Sequence, residues 1–550
     1  MNKSVSLRLP SWLIGVGVTA ILLGLGSRLL PVFDIGGRLL QQFPTEDGYL
    51  LLTIARNMAM GLGMSTADGT IATNGIQPFT SFVWALGYWL VDGDKTQGVM
   101  IALLVQTMVS ALTAWLIYRL GRKVLATWEY GKEASWLLAV AFFVSPHFMP
   151  HSMNCLETGF HLLAIACVAN VFYETDDAAK TPWAWPKTLA VGVLLGWAFW
   201  VRIDAVFLIF AMCIAHMFRG LPFGLPHVIE RFKRVLVFGS VSVLVASPWL
   251  ISNYLRFGSI MPVSGQSQGM APFANNFWYT PPAFLEYMMV AIPIPNALEQ
   301  LRGVSVIALI AVIVMYGLVG LMYRRANHGQ RTFILAGAIV TACVFVYYGL
   351  FFGAPHFIPR YLILSAPFHI FIPAVVILSL LHVKPSLKGA PAKLLVVAVM
   401  AAVIVLNVRI FKNGAPHQHF QVVQWVEEHV PDDVWVGAIQ TGTLGYFHDR
   451  TINLDGKVNP DALQARMQEA YCPEVVTSET DCLMYYIAQH KLQYLADWNG
   501  GIEYWTEIEP LGDHFDVVVA DPVKNLSVLM RRGAEPLQPV SIVPPEQYQR

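Results

Sequence analysis

The chain has 550 residues, of which 55% are hydrophobic and only 13% charged, and its mean hydropathy is +0.52. Soluble globular proteins carry roughly 45–50% apolar and about 25% charged residues. This composition, with repeated apolar runs long enough to cross a bilayer, excludes a soluble enzyme, a disordered chain and a basic nucleic-acid binder.

A span needs about 20 mostly apolar residues. Eleven runs read as spans, near 11–30, 98–118, 134–149, 159–173, 188–201, 205–218, 235–255, 304–323, 332–352, 362–381 and 394–410. The first is long and has no small-residue cleavage site, so it reads as an anchor rather than a removed signal. The net charge is zero, but the signs are segregated: residues 1–411 hold 27 basic and 16 acidic side chains, and residues 412–550 hold 9 and 20. With the N-terminus in the cytoplasm, the short loops on that side carry 18 basic residues and the opposite loops seven. Every alternate loop then obeys the positive-inside rule.

Residues 78–91, PFTSFVWALGYWLV, are too short for a comfortable span, and counting them would reverse all later loops. They are expected to form an interfacial or re-entrant helix on the outer side, its ends covered by protein or a wet cavity. After an odd number of spans, the tail lies outside. There, helical stretches such as QVVQWVEEHV alternate with short β-rich runs such as VWVGAI and DVVVAD, which predicts a compact α/β domain. The tail has no glycine-rich phosphate loop, so it is no ATPase. The expected architecture is therefore a polytopic α-helical membrane protein with about 11 transmembrane helices over residues 1–411, and a C-terminal extracytoplasmic α/β domain over 412–550.

Chemistry is sought in the outer loops, where ten of the 16 acids of the membrane half fall. In the first outer loop, residues 31–97, Glu46 and Asp47 precede a helix-like run, YLLLTIARNMAM. Such a pair is either catalytic or there to favour a helix N-terminus. The second outer loop, SPHFMPHSMNCLETGF, carries His147, His151, Asn154 and Glu157. A charge this close to the bilayer is costly unless it faces a cavity or partner, so Glu157 is a functional candidate, or else an acid capping the next span. The two histidines have no third ligand that would make a zinc site. Arg202 and Asp204, in VRID, could form an internal ion pair or contact substrate. In FFGAPHFIPRYLILSAP, His356, Arg360 and Tyr361 lie at the outer mouth of a span. An arginine there suits bidentate binding of phosphate, or anchors the span within an aromatic belt. Glu46, Asp47 and Glu157 could hold Mg²⁺ or Ca²⁺ if they converge. Cys472 and Cys482 form a disulfide if the tail faces an oxidising periplasm; two free thiols are the alternative.

The run TEDGYLLLTIARNMAMGLGMSTADGT, followed by NGIQPFTSFVWA, resembles a pattern of acidic pair, apolar helix with an arginine, Gly-x-Gly and an aromatic re-entrant segment. That pattern marks bacterial membrane glycosyltransferases of the GT-C superfamily, especially the branch with the terminal arabinofuranosyltransferases. NCLETG is similar to the branch's second-loop motif, YLRFGSIMPVSGQ to its Arg/Tyr-Gly-x-x-x-Pro loop and PHFIPRYLILSAP to its Arg-Tyr segment. GAIQTGTLGYFHDRTINLDGKVN resembles the start of the extracytoplasmic domain these proteins often carry.

The resemblance implies a polyprenyl-phosphate-linked sugar donor and transfer, with inversion, to a cell-envelope glycan, lipid or protein acceptor at the outer face of the bacterial inner membrane. It implies that Asp47 or Glu46 takes the acceptor proton, that Glu157 positions acceptor or base, and that Arg360 with His356 neutralises the departing lipid phosphate. Tyr361, Arg202, Asp204 and, from NGIQ, Asn74 and Gln77 are further candidate substrate-binding residues. The family's acidic pair is more often Asp-Asp, so Glu46 leaves open which carboxylate is the base. No cofactor beyond a divalent cation is implied. The rival readings are a transporter or flippase of envelope lipids, and a non-catalytic envelope assembly protein. Against transport, the spans show no two repeated halves, and the acids gather at one face rather than at the midplane.

Overall fold

The computed structural model describes residues 9–174, 181–219, 224–268, 272–294, 301–324, 326–354, 357–413, 419–473 and 481–533. All eleven apolar runs fall on helices. Seven are long and apolar enough to cross a membrane: α1 (Ser11–Val32), α4 (Lys95–Val124), Leu225–Phe257, Arg302–Tyr323, His328–Phe351, Pro359–Val383 and Ala390–Lys412. The other four are shorter: α5 (Gly131–Val144), α7 (Thr158–Phe172), Trp185–Val201 and Val206–Met217 have 14, 15, 17 and 12 residues.

Position in the bundle follows from which faces are apolar. α7 is apolar almost all round and is buried on nearly every side. Arg302–Tyr323 and Ala390–Lys412 are just as apolar, yet expose Ile307, Ile310, Ile313, Leu394, Val397 and Val405. Apolar surface costs roughly 25 cal/mol per Å² in water, so these faces belong against lipid tails. The protein is a multi-pass membrane protein.

Between the first two long helices the chain builds a separate layer. α2 (Glu46–Ala59) is capped by Thr45, whose hydroxyl accepts the Gly48 N–H at 3.2 Å. It buries Tyr49, Leu51, Leu52, Ile54 and Ala55. A hairpin of β1 (Ser65–Thr66) and β2 (Ile71–Ala72) follows. Then α3 (Pro78–Trp89) starts with proline in its first turn, where no backbone N–H is needed. Its 12 residues reach about 18 Å at 1.5 Å per residue, short of the roughly 30 Å hydrocarbon layer. Trp84 donates to the Cys155 carbonyl at 2.9 Å from the buried side of α3, while Phe82, Leu86 and Trp89 remain exposed.

The C-terminal part holds a five-stranded sheet of β3 (Val436–Ala438), β4 (Thr451–Asn453), β5 (Tyr494–Asp497), β6 (Phe515–Asp521) and β7 (Leu526–Arg531). Their order is β4-β3-β5-β7-β6; β3 runs parallel to β4 and β5, and β7 antiparallel to β5 and β6. Alternation along the strands feeds two cores. Tyr494, Ala496 and Val528 pack with Val422 and Val426 on one face, whereas Leu495 and Leu529 pack with Ile487 and Trp505 on the other. Cys472 and Cys482 are joined in a disulfide.

This C-terminal domain docks on the α2–α3 layer through buried aromatics. Tyr49 packs on Tyr446 at 4.9 Å between centroids and on Phe447 at 5.7 Å, and the hydroxyls of Tyr88 and Tyr446 lie 2.7 Å apart. Tyr446 and Val458 belong to the same hydrophobic cluster as the membrane helices. Around that patch, Asp449 pairs with Arg56 at 3.3 Å and with Lys95 at 3.0 Å.

Candidate active site

A cavity of about 520 Å³ lies where α2, the loop after β2, the start of α7, residues 199–207, residues 347–361 and the loop at 457–458 meet. It is lined by Asp47, Gln77, Glu157, Arg202, Asp204, Arg360 and Tyr361, brought together from five separate stretches of the sequence. Asn74 stands beside it: its side-chain oxygen accepts the Val263 N–H at 2.9 Å and so ties down the loop that carries Met261, Pro262 and Ser264 into the wall. His356 lies outside the described residues.

The adjacent acids of α2 take opposite directions. Successive side chains on a helix diverge by about 100°, so two neighbours cannot share a cavity wall equally. Asp47 lines the cavity. Glu46 is turned to the C-terminal domain, where its carboxylate accepts the backbone N–H of Gly442 and that of Thr443, the latter at 2.9 Å. These are N–H groups at the start of helix Gly442–Phe447, which have no partner within that helix. A Cβ at residue 442 would stand 1.8 Å from the Glu46 carbonyl oxygen, so only glycine allows this approach.

At the membrane side of the cavity the charges form a closed network. Helix Trp185–Val201 ends because Arg202 adopts an extended conformation (φ −152°, ψ 133°), and Asp204 sits in the 3-10 turn that follows. The hairpin thereby folds both side chains together. The Arg202 Nε donates to both Asp204 oxygens at 3.2 Å, its Nη1 to Glu157 and its Nη2 to the Tyr348 hydroxyl at 3.2 Å. Tyr348 donates onward to Asp204 at 2.8 Å. All four side chains are buried. Burying an ion pair is tolerated only when its remaining lone pairs and protons find partners, and here they do.

At the other side the charges are open. Arg360, carried on the 3-10 turn Pro359–Ser365, pairs with Asp47, whose side chain remains 38% exposed. Among the described residues the Arg360 Nε has no hydrogen-bond partner, and neither has the buried side-chain oxygen of Gln77. Tyr361 stacks face to face on Tyr348 at 5.3 Å and so joins the two sides. Lys457, from the C-terminal domain, completes this side; its ammonium lies 3.0 Å from Asp455.

Glu46, Asp47 and Glu157 do not converge, each being held by different partners, so the condition for a shared Mg²⁺ or Ca²⁺ site is not met. Among the described residues no group of three or more His, Cys, Asp and Glu could hold a metal ion. The remaining wall, with Phe199, Val206, Phe207, Leu250, Ile260 and Met261, is apolar. Val206, Ile260 and Met261 are exposed, so the cavity opens along an apolar rim. Chemically it offers a carboxylate and two cations at one end and a surface for hydrocarbon at the other.

Tyr348 and Lys457, which carry polar groups into the lining, were not singled out from the sequence. Tyr348 is one aromatic in FVYYGLF, a run that reads as plain span; it reaches the site on a widened, π-type turn over Phe345–Phe351. Lys457 had a visible signal, as one of only nine basic residues in an acidic tail and within the run LDGKVN.

Residues 408–522 match a family model described as a domain of unknown function, DUF8728. No curated protein matches the chain by sequence. Solved structures do match in fold. ArnT from Cupriavidus metallidurans, in the apo state, superposes with a TM-score of 0.53 at 13% identity, covering 94% of this chain and 97% of that one. The archaeal oligosaccharyltransferase AglB from Archaeoglobus fulgidus, in complex with an inhibitory peptide and a dolichol-phosphate, superposes with a TM-score of 0.50 at 11% identity, covering 96% and 75%. The Archaeoglobus fulgidus oligosaccharyltransferase tethered to an acceptor peptide gives 0.50 at 13%, covering 92% and 72%. Both enzymes are GT-C glycosyltransferases, and the likeness at these identities is one of fold. The chain shares the fold of these two enzymes.

Proposed function

We propose that the protein is a membrane glycosyltransferase of the branch that resembles the terminal arabinofuranosyltransferases. It moves a sugar, with inversion, from a polyprenyl-phosphate donor to a cell-envelope glycan or lipid on the outer face of the bacterial inner membrane. The basic residues of alternate loops support a cytoplasmic N-terminus and an extracytoplasmic C-terminal domain over residues 412–550.

One observation carries this reading: Asp47, Glu157 and Arg360 line a single cavity whose opposite wall is apolar and open at its rim. A lipid-linked phosphate needs that division, with a cation for the headgroup and an apolar path for the chain. The dolichol-phosphate held by AglB is a ligand of this chemical kind. Asp47 rather than Glu46 is the base, because Glu46 is committed to the N–H groups of residues 442 and 443. Asp47 accepts the proton of an acceptor hydroxyl as its oxygen attacks the anomeric carbon, which contributes roughly 10²–10⁴-fold. Arg360 takes the phosphate oxygens. Glu157, oriented by Arg202, holds the acceptor side.

The test is transfer by full-length protein in liposomes, using a panel of radiolabelled polyprenyl-phosphate sugars that begins with the arabinofuranosyl donor. Asp47→Asn should fold normally and lose transfer by about 10²-fold or more. Transfer at the wild-type rate would overturn the assignment.

A further inference from the structure

The proposed reaction creates a charge that Arg360 alone does not match. A sugar–phosphate–lipid is a phosphodiester with one negative charge. In transfer, the acceptor oxygen bonds to the anomeric carbon and the carbon–oxygen bond to phosphate breaks. The electron pair stays on phosphate and the acceptor proton passes to Asp47. The leaving polyprenyl phosphate is then a monoester with a second negative charge that did not exist in the ground state. A group that binds this developing charge accelerates the step, whereas one that binds only the diester does not.

Lys457 is placed for that role, on the opposite domain. It lines the same cavity as Arg360 and Asp47. Its loop is wedged into the membrane half: Val458 is fully buried in the membrane core, and Asn459 caps the next helix by accepting the N–H groups of Asp461 and Ala462. Residue 75 in the first outer loop must be glycine, because a Cβ there would stand 2.3 Å from the Lys457 carbonyl oxygen. The backbone at Lys457 is therefore held from both sides, and the residue lines the cavity. Burial would lower its pKa, but the carboxylates of Asp455 and Asp47 outweigh this and hold it above its ordinary value, so it is cationic. Arg360 is paired with Asp47 and Lys457 with Asp455, so an arriving phosphate finds both cations already in place at the cavity wall.

We propose, resting on the glycosyltransferase reading, that Lys457 is a second ligand of the donor-lipid phosphate, so that the phosphate seat is split between the membrane helices (Arg360) and the C-terminal domain (Lys457). The substrate class is the polyprenyl phosphate headgroup, and the site is complete only while the C-terminal domain is docked.

The experiment measures binding of polyprenyl phosphate, with polyprenol as the uncharged control, to the full-length protein in nanodiscs. Wild type, Lys457→Ala, Lys457→Arg and Asp455→Asn are compared. Lys457→Ala should weaken polyprenyl phosphate about ten- to a hundredfold, the worth of a charge-assisted hydrogen bond, and leave polyprenol unchanged. Lys457→Arg should restore most of the loss, and Asp455→Asn should not reproduce it. Unchanged phosphate binding in Lys457→Ala overturns the inference, as does an equal loss for phosphate and polyprenol, which would mean the loop had moved. If the wild type itself does not prefer the phosphate to the alcohol, the donor reading fails. If the wild type prefers it and only Lys457→Ala is silent, Lys457 alone is excluded.

Discussion

The two ends of the cavity use the same residue types in opposite ways. At the membrane end, Glu157, Arg202, Asp204 and Tyr348 are buried and bonded to one another, two carboxylates around one arginine, so each is fixed in place before a ligand arrives. At the outer end, Asp47 is paired with Arg360 but stays accessible, and Lys457 leans on Asp455. A closed network holds shape. The open pair can exchange its partner for an incoming phosphate or hydroxyl, because its carboxylate is still partly in water. The lesson is that a carboxylate beside an arginine is not evidence of catalysis until one knows what else each of them touches.

Substitutions should separate the two ends, and they are ordered here by size. Asp47→Asn breaks the open end and should lose transfer by about 10²–10⁴-fold with an unaltered melting temperature. Arg202→Ala breaks the closed end, leaving two carboxylates buried without their cation. It should cost about 3–5 kcal/mol of stability, read as a clear fall in melting temperature of the detergent-solubilised protein. If Arg202→Ala instead melts like the wild type, the network is not structural and the contrast fails.

Glu46→Gln tests the link between α2 and the C-terminal domain. The two N–H groups are accepted by different carboxylate oxygens, and glutamine puts an NH2 donor in place of one of them, so docking should weaken by about 1.5–3 kcal/mol. The expected readout is faster hydrogen exchange at residues 442–447, with a smaller loss of transfer than in Asp47→Asn. A loss of transfer as deep as that of Asp47→Asn, without faster exchange, would return Glu46 to the role of base. The smallest effect belongs to Asp68→Asn, which removes an exposed pair with Arg450 at 3.6 Å. Such pairs contribute about 0–1 kcal/mol, and a shift in melting beyond that would mean the hairpin matters to docking more than its contacts suggest.

Much of this was legible in advance because it depends on solvent. Long apolar runs must become helices that satisfy their own backbone in lipid, and short β-branched runs such as DVVVAD favour strands. The short run at 78–91 reads as a helix that does not span for the same reason of length. The candidate site was legible as residue types in the loops between apolar runs, and Asp47, Glu157, Arg202, Asp204, Gln77, Arg360 and Tyr361 do meet at one cavity. The distinction between Glu46 and Asp47 was not legible. Both are acids in one helical turn, and their separation depends on what lies about 100° around the helix, which includes residues nearly 400 positions away.

The sequence by itself determined which segments form long apolar helices, in which connecting loops the acids gather, and that an acidic α/β domain follows, since each is set by the local balance of apolar area and charge. Only the tertiary structure decided which charges are neutralised by one another and which stay open to a ligand. That choice depends on long-range contacts between Arg202 and Glu157, Glu46 and Thr443, and Gly75 and Lys457. No local pattern encodes them, because a charge is committed or free according to the partner that packing brings within about 3 Å.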